Sequence, residues 1–205
     1  MRLTFHSLGH GFQPGHTLFR NLSTSIEPGE LVAVTGPSGS GKTTLLSLVA
    51  GWLAPTEGTI DRDGIDVIAW VFQNPHGVPR RTALDHVALP LLARGATRRQ
   101  ASGQAADVLA QFNLAHLADQ EFRSLSGGEA QRLMLGRAVA TAPHLLLVDE
   151  PTAQLDRATA GSVNQVLARI ASQNSIVLVA THDPDTRAAC TRVLDLGALP
   201  TEQAA

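Results

Sequence analysis

The sequence predicts an α/β domain with a mostly parallel central sheet, an antiparallel β part at its N-terminal end and an inserted helical lobe. Three observations carry this reading. Short, wholly apolar runs alternate with helical stretches, as expected of a parallel sheet covered on both faces. One of those runs leads straight into a glycine-rich loop. Between residues 82 and 112 the pattern changes to helical spacing. The length suits one domain carrying a smaller lobe, so residues 1–205 read as a single unit with the lobe at approximately 76–142.

The bulk numbers narrow the function. Hydrophobic residues at 43% and charged residues at 17% are ordinary for a packed domain and exclude a disordered or collagen-like chain. Sixteen basic against eighteen acidic residues give a formal charge of -2, without the electrostatic footprint of a nucleic-acid binder. The one cysteine, Cys190, has no partner for a disulfide or a metal site, which points to a reducing compartment and a small buried hydrophobe. Lys42, Asp149 with Glu150, and His182 interrupt the most hydrophobic stretches well before membrane-spanning length. Residues 1–8 lack the apolar core of a signal peptide. Any membrane association is therefore expected to be peripheral.

Taken in order, residues 3–8 and 17–26 are expected to form antiparallel edge strands, with Pro28-Gly29 turning into the central sheet. Residues 31–35, 145–148 and 176–180 are nearly all Leu, Val, Ile or Ala, as strands buried on both faces tend to be. A helix is expected from Thr43 to Leu53. Thr97 is placed to cap a helix through Phe112, with Ala105, Val108, Leu109 and Phe112 on one face. Pro90 is expected to break or kink the helix before it. Gln154 and residues 201–205 read as exposed polar ends.

Gly36-Pro37-Ser38-Gly39-Ser40-Gly41-Lys42-Thr43 fits G-x-x-x-x-G-K-[ST] and stands between an expected strand and an expected helix. Glycines let successive backbone N–H groups surround phosphates, and the helix that follows aims its positive end at them. Lys42 supplies a charge for the β- and γ-phosphates. The Thr43 hydroxyl can ligand magnesium, and Thr44 completes the nucleotide-binding set. ATP with Mg2+ is the expected cofactor pair.

Leu125-Ser126-Gly127-Gly128-Glu129 opens a second marked helix, with Ser126 and Glu129 at capping-box spacing. A cap has no need of two glycines, which cost about 1 kcal/mol each in a helix. Bare backbone at a positive helix end makes a second anion site, although the first loop already supplies a full cradle. One chain therefore carries two half-sites.

With Gln131-Arg132 following, this segment resembles the signature motif of ATP-binding cassette (ABC) transporter proteins, and the resemblance runs from about residue 3 to 196. It implies an ABC ATPase of the P-loop fold that powers a transmembrane permease subunit, lying in the cytoplasm against the inner face of the membrane. Cassettes of that family pair head to tail, as a homodimer or with a second cassette, each signature helix facing the γ-phosphate held by the other chain.

Leu145 to Val148 delivers Asp149 and Glu150 to the C-terminal end of a strand, where parallel α/β sheets gather ligands. Successive strand residues face opposite sides, so the two acids are expected to diverge. Asp149 resembles the Walker B aspartate that holds magnesium. Glu150 resembles the residue that polarises the attacking water. His182, after residues 176–180, resembles the switch histidine that touches the γ-phosphate. Gln73 resembles the Q-loop glutamine, which implies a place at the metal and the catalytic site and a report of nucleotide state to the helical lobe and the permease. Residues 153–156 match the D-loop that contains Asp156, with Gln154 bulkier than usual there. An aromatic is implied to stack on adenine upstream of the loop. Phe12 stands in that place and Phe19 competes.

The short run between Lys42 and Gln73 implies a pared-down antiparallel lobe around residues 59–70, and the chain reads as a minimal cassette. T-A-L-D-H-V-A-L-P-L-L at 82–92 and T-H-D-P at 181–184 look like cassettes of the lipoprotein-releasing and macrolide-exporting type. The shortened 59–73 stretch instead resembles importers of small anions. A soluble cassette ATPase uncoupled from transport is the alternative, although its usual marks, tandem cassettes or a long coiled-coil insertion, are missing from this sequence.

Overall fold

The computed structural model describes residues 1–13, 16–153 and 155–199. Gln154 and residues 201–205, read above as exposed ends, lie outside the described residues.

Two sheets form. β1 (Arg2–Gln13) pairs antiparallel with both β2 (His16–Ile26) and β4 (Glu57–Asp63). The second sheet is parallel, in the order β5 (Ile68–Val71), β6 (Leu145–Asp149), β7 (Ile176–Ala180), β3 (Leu31–Thr35), β8 (Arg192–Asp195). Among the described residues six α-helices accompany these strands: α1 (Lys42–Val49), α2 (Ala83–Ala93), α3 (Arg98–Gln111), α4 (Gly127–Ala140), α5 (Arg157–Ser172) and α6 (Pro184–Ala188).

The wholly apolar strands are explained by what lies on either side of them. Leu145, Leu147, Ile176 and Leu178 join a core with Leu3, Phe5 and Phe19 of the antiparallel sheet and Leu45 and Leu48 of α1. Their neighbours Leu146, Val148, Val177 and Val179 point the other way, into a core with Val87, Leu109, Leu133 and Val163 of α2 to α5. Period-2 alternation thus feeds two cores from one strand.

Several boundaries differ from expectation. α1 stops at Val49, short of Leu53, because Gly51 (φ 77°) closes a left-handed cap. Its N–H donates to Leu48 O and that of Trp52 to Ser47 O, both at 3.0 Å, the paired bonds of a Schellman motif. Arg62 also donates to the carbonyls of Val49 (2.7 Å) and Leu48 (2.6 Å). Pro90 does not end α2, which continues to Ala93. Proline costs the helix one N–H donor, and the burial of Val87 and Leu91 on either side offsets that loss. The stretch 59–70 divides between sheets: β4 is antiparallel as expected, whereas Trp70 belongs to β5, which pairs parallel with β6. The Thr97 cap is present, with reciprocal bonds between Thr97 and Gln100.

Candidate nucleotide-binding site

β3 ends at Thr35 and the loop 36–41 carries the chain into α1. Gly36 holds φ at 144°, a conformation that L side chains rarely adopt, and a Cβ there would also come within 3.0 Å of Ser40 Cβ and 3.2 Å of the Gly197 backbone nitrogen. Gly41 (φ 93°) lies against the ring of Phe19, 3.1 Å from where its Cβ would be. Phe19 itself is wholly buried. The loop therefore rests on a hydrophobic support, with its backbone N–H groups at the head of α1. Lys42 Nζ donates to the carbonyls of Gly36 (3.0 Å) and Pro37 (3.1 Å), which holds the ammonium over the loop.

A cleft of about 740 Å³ opens on this loop. Lys42, Thr43, Gln73, Asp149, Glu150 and His182 all contribute to its walls, as do Phe12 and Leu18. Phe12 is 66% exposed at the rim, so the core role falls to Phe19 and the exposed ring is Phe12. Residues 125–129 are not among the described residues that line the cleft.

The two acids arrive by different routes. Asp149 is the last residue of β6, buried, and accepts a 2.7 Å hydrogen bond from Thr43 Oγ1. Burial raises its pKa above the ordinary aspartate value and the Glu150 charge adds to this, while the Thr43 bond and Lys42 oppose. Glu150 has already left the strand: its φ is 47° and its N–H donates to Ala180 O at 2.9 Å. A left-handed turn, rather than strand pleating, therefore aims this side chain. Glu150 Oε1 stands 2.8 Å from His182 Nδ1. The His182 side chain is 72% exposed at the cleft wall, whereas that of Glu150 is 10% exposed.

A network that the sequence did not announce supports this histidine. Thr152 Oγ1 and Thr186 Oγ1 both donate to Asp183 Oδ2, at 3.0 and 2.8 Å, and the Asp183 N–H donates to Thr181 Oγ1 at 3.0 Å. Desolvation pushes the Asp183 carboxyl up, and its hydrogen bonds outweigh that and hold it below the usual value. The turn after Glu150 is thereby tied to both sides of His182. Only the clustering of Thr and Asp around positions 181–186 could have suggested this.

At the second motif, Ser126 caps α4. Glu129 Oε2 accepts from both the N–H and the Oγ of Ser126, each at 2.8 Å. These bonds hold the Glu129 carboxyl below its ordinary pKa. Asp156 is engaged likewise as the cap of α5, accepting from the Thr159 N–H at 3.0 Å and Thr159 Oγ1 at 2.6 Å.

A phosphate loop at the head of a parallel sheet, with acids at the end of another strand, is the arrangement of P-loop nucleotide hydrolases. A family profile described as ABC transporter matches residues 19–153, and the chain belongs to that family as an ATP-binding subunit and ATPase. It is similar to the lipoprotein-releasing system ATP-binding protein LolD of Chromohalobacter salexigens, 37% identical over 196 residues, 88% of this chain and 83% of that protein. The LolD protein of Bordetella pertussis is 38% identical over 192 residues, covering 86% and 83%. Among solved structures, a dimeric ATP-binding cassette in a post-hydrolysis state with ADP and Pi superposes with a TM-score of 0.85 and 29% identity over 99% of each chain.

Proposed function

We propose that this chain binds ATP with magnesium in the cleft, hydrolyses it through Glu150, and drives a membrane-spanning transport partner by ATP-dependent pairing of two cassettes. The observation that carries this reading is the meeting of Lys42, Thr43, Asp149, Glu150 and His182 in one cleft that residues 125–129 do not line. Phosphates are cradled by the loop amides and Lys42. Glu150, in hydrogen-bond reach of His182, orients and polarises the attacking water, and His182 reaches the γ-phosphate from the exposed wall. Phe12 stacks on adenine at the rim.

Thr43 and Asp149 fit magnesium. They offer a hydroxyl and a buried carboxylate 2.7 Å apart, both hard oxygen donors, and a cation would offset the burial that raises the aspartate. Exposed Gln73 at the cleft edge completes the set. When bound, the ion would neutralise charge on the phosphates.

Ser126 and the Gly127-Gly128 amides present a capped helix end with no phosphate of their own, and they complete the shell of the paired chain's ATP. Asp156 belongs to the same dimer contact. The dimeric state of the solved cassette supports this pairing.

Gln73 and the residues between 82 and 112 face the permease. A groove between β5 and α4, lined by Trp70, Phe72 and Met134, opens beside Gln73, and Trp52 and Phe72 are partly exposed there. No helix among the described residues is long and apolar enough to cross a membrane. The proposed location is the cytoplasmic face of the membrane, bound through the permease. The names of the two LolD relatives, ATP-binding proteins of lipoprotein-releasing systems, favour an export-type system.

The direct test is Glu150→Gln, which keeps shape and removes the base. With saturating magnesium-ATP it should bind nucleotide, scarcely cleave it, and run as a dimer in size-exclusion with light scattering. A variant that hydrolyses at the parent rate would remove the assignment of Glu150.

A further inference from the structure

Phe12 is mostly exposed, so the core does little to fix its rotamer. A ring that stacks on a base gains most when it already faces the base before binding, because no side-chain entropy is then lost on association. Among the described residues the one ring that meets Phe12 is His10, two positions back on β1. The two centroids lie 5.0 Å apart and the planes cross at 89°, the edge-to-face arrangement that aromatic pairs favour. His10 is itself 6% exposed and is not among the residues that line the cleft, so any influence it has on a nucleotide runs through Phe12.

His10 is held far more firmly than the ring it meets. The Thr56 hydroxyl accepts from the Gly11 N–H at 3.2 Å and donates to Gly9 O at 3.3 Å, and the Thr56 N–H donates to the same carbonyl at 3.2 Å. One residue just ahead of β4 thus bonds the backbone on both sides of His10. Gly11 also runs so close to β2 that a Cβ there would come within 2.5 Å of the His16 carbonyl oxygen. In the β1–β2 ladder His10 pairs with Phe19, the buried ring that lies against Gly41 of the phosphate loop. A fixed residue therefore connects the exposed ring at the rim of the cleft with the support under its phosphate end.

We propose that His10 is a positioning residue for base recognition, which presets the Phe12 ring so that its face stands ready for adenine. This rests on the stacking role given to Phe12 above. If His10 served the core alone, an aliphatic side chain of similar volume would do as well. The edge-to-face contact asks instead for a planar ring.

The test uses the full chain with magnesium and two probes, ATP and inorganic tripolyphosphate, the second of which carries phosphates and no base. Calorimetric titration gives Kd for each, and steady-state hydrolysis gives KM and kcat. In His10→Leu the Kd and KM for ATP should rise about fivefold, while kcat and the Kd for tripolyphosphate should stay within about twofold. Retained tripolyphosphate binding shows that the loop is intact, so misfolding cannot account for the loss. His10→Phe keeps a planar ring and should bind ATP within about twofold of the parent. In a Phe12→Ala background, His10→Leu should add no further loss. The proposal is overturned by an unchanged ATP Kd in His10→Leu, by an equal loss for both probes, by a loss that His10→Phe does not restore, or by one that persists in full without Phe12. Each of these leaves the stacking role standing as long as Phe12→Ala alone weakens ATP and spares tripolyphosphate. If Phe12→Ala leaves the ATP Kd unchanged, the stacking role falls and the proposal falls with it.

Discussion

Glu150 Oε1 and His182 Nδ1 stand 2.8 Å apart, joining the end of β6 to the end of the neighbouring β7. The glutamate is fixed by a left-handed turn and the histidine by the Asp183 network, so the pair is held from both sides. His182→Ala should lower kcat by about a hundredfold or more while leaving ATP affinity nearly unchanged, because the phosphate cradle does not include it. Single-turnover hydrolysis beside equilibrium nucleotide binding separates the two quantities. An equal loss in both would place His182 in binding rather than in chemistry.

Lys42→Ala should abolish measurable turnover and most nucleotide affinity, since the loop would retain only backbone N–H donors for the phosphates. The loop itself should stay folded: its glycine geometry rests on buried Phe19, and the bonds Lys42 makes to the Gly36 and Pro37 carbonyls are those of one partly exposed side chain. Calorimetric titration with ATP, with circular dichroism as the folding control, decides it. Near-normal hydrolysis would remove the loop from the site.

Phe12→Ala should raise the Kd for ATP by roughly tenfold, within the about 1–3 kcal/mol that a base gains from stacking on an aromatic ring. Its ring is mostly outside the core, so thermal stability should hardly move. Phe19→Ala should do the reverse, costing about 3–5 kcal/mol of stability through the cavity left beneath the loop. If Phe19→Ala alone weakens binding with no loss of stability, the two aromatics have been assigned the wrong way round.

The Glu129 carboxyl is depressed below its ordinary 4.5 by the Ser126 bonds. Its contribution to stability is therefore complete above that value and lost as pH falls through the lower folded one. Glu129→Gln keeps the capping bond to the Ser126 N–H and removes the titration. The stability advantage of the parent over this variant should be present at neutral pH and shrink on acidification. Urea midpoints of both proteins across that range measure it, and a difference that stays constant with pH would show that the carboxylate charge is not what the cap uses.

What was legible in the sequence were features whose physics is local. Apolar runs bounded by turns marked β3, β6 and β7, and capping chemistry marked Thr97 and Ser126, because a cap is decided within four residues. β5 and β8 were not seen. Ile68–Val71 and Arg192–Asp195 are each four residues long, the second with only Val193 and Leu194 between charged ends, so their identity comes from pairing with β6 and β3 across long gaps in sequence. That Pro90 would not end α2 was hidden for a related reason, since the burial that carries the helix through it is tertiary. The residue types at the cleft could be read, but not the direction of Glu150. A positive φ at a glutamate leaves no trace in composition, and it follows from the hydrogen bond to Ala180 on the adjacent strand.

The composite site gives the last prediction. In the Glu150→Gln background ATP should hold two chains together, because the trapped γ-phosphate is contacted by the loop of one chain and by Ser126 with the Gly127-Gly128 amides of the other. Ser126 is exposed at the head of α4, where an arginine would stand in the proposed contact between that helix end and the phosphate. Adding Ser126→Arg brings bulk into that contact and removes the cap. ATP-dependent dimerisation should be lost, while each monomer should keep its affinity for ATP within about twofold, since residues 125–129 do not line its own cleft. Light scattering with and without magnesium-ATP, beside nucleotide titration of the monomer, reads both quantities. If the doubly substituted chain still dimerises on ATP, the two phosphate-binding helix ends do not meet across an interface. If instead it loses nucleotide affinity as a monomer, Ser126 acts within its own chain, and the head-to-tail arrangement is wrong.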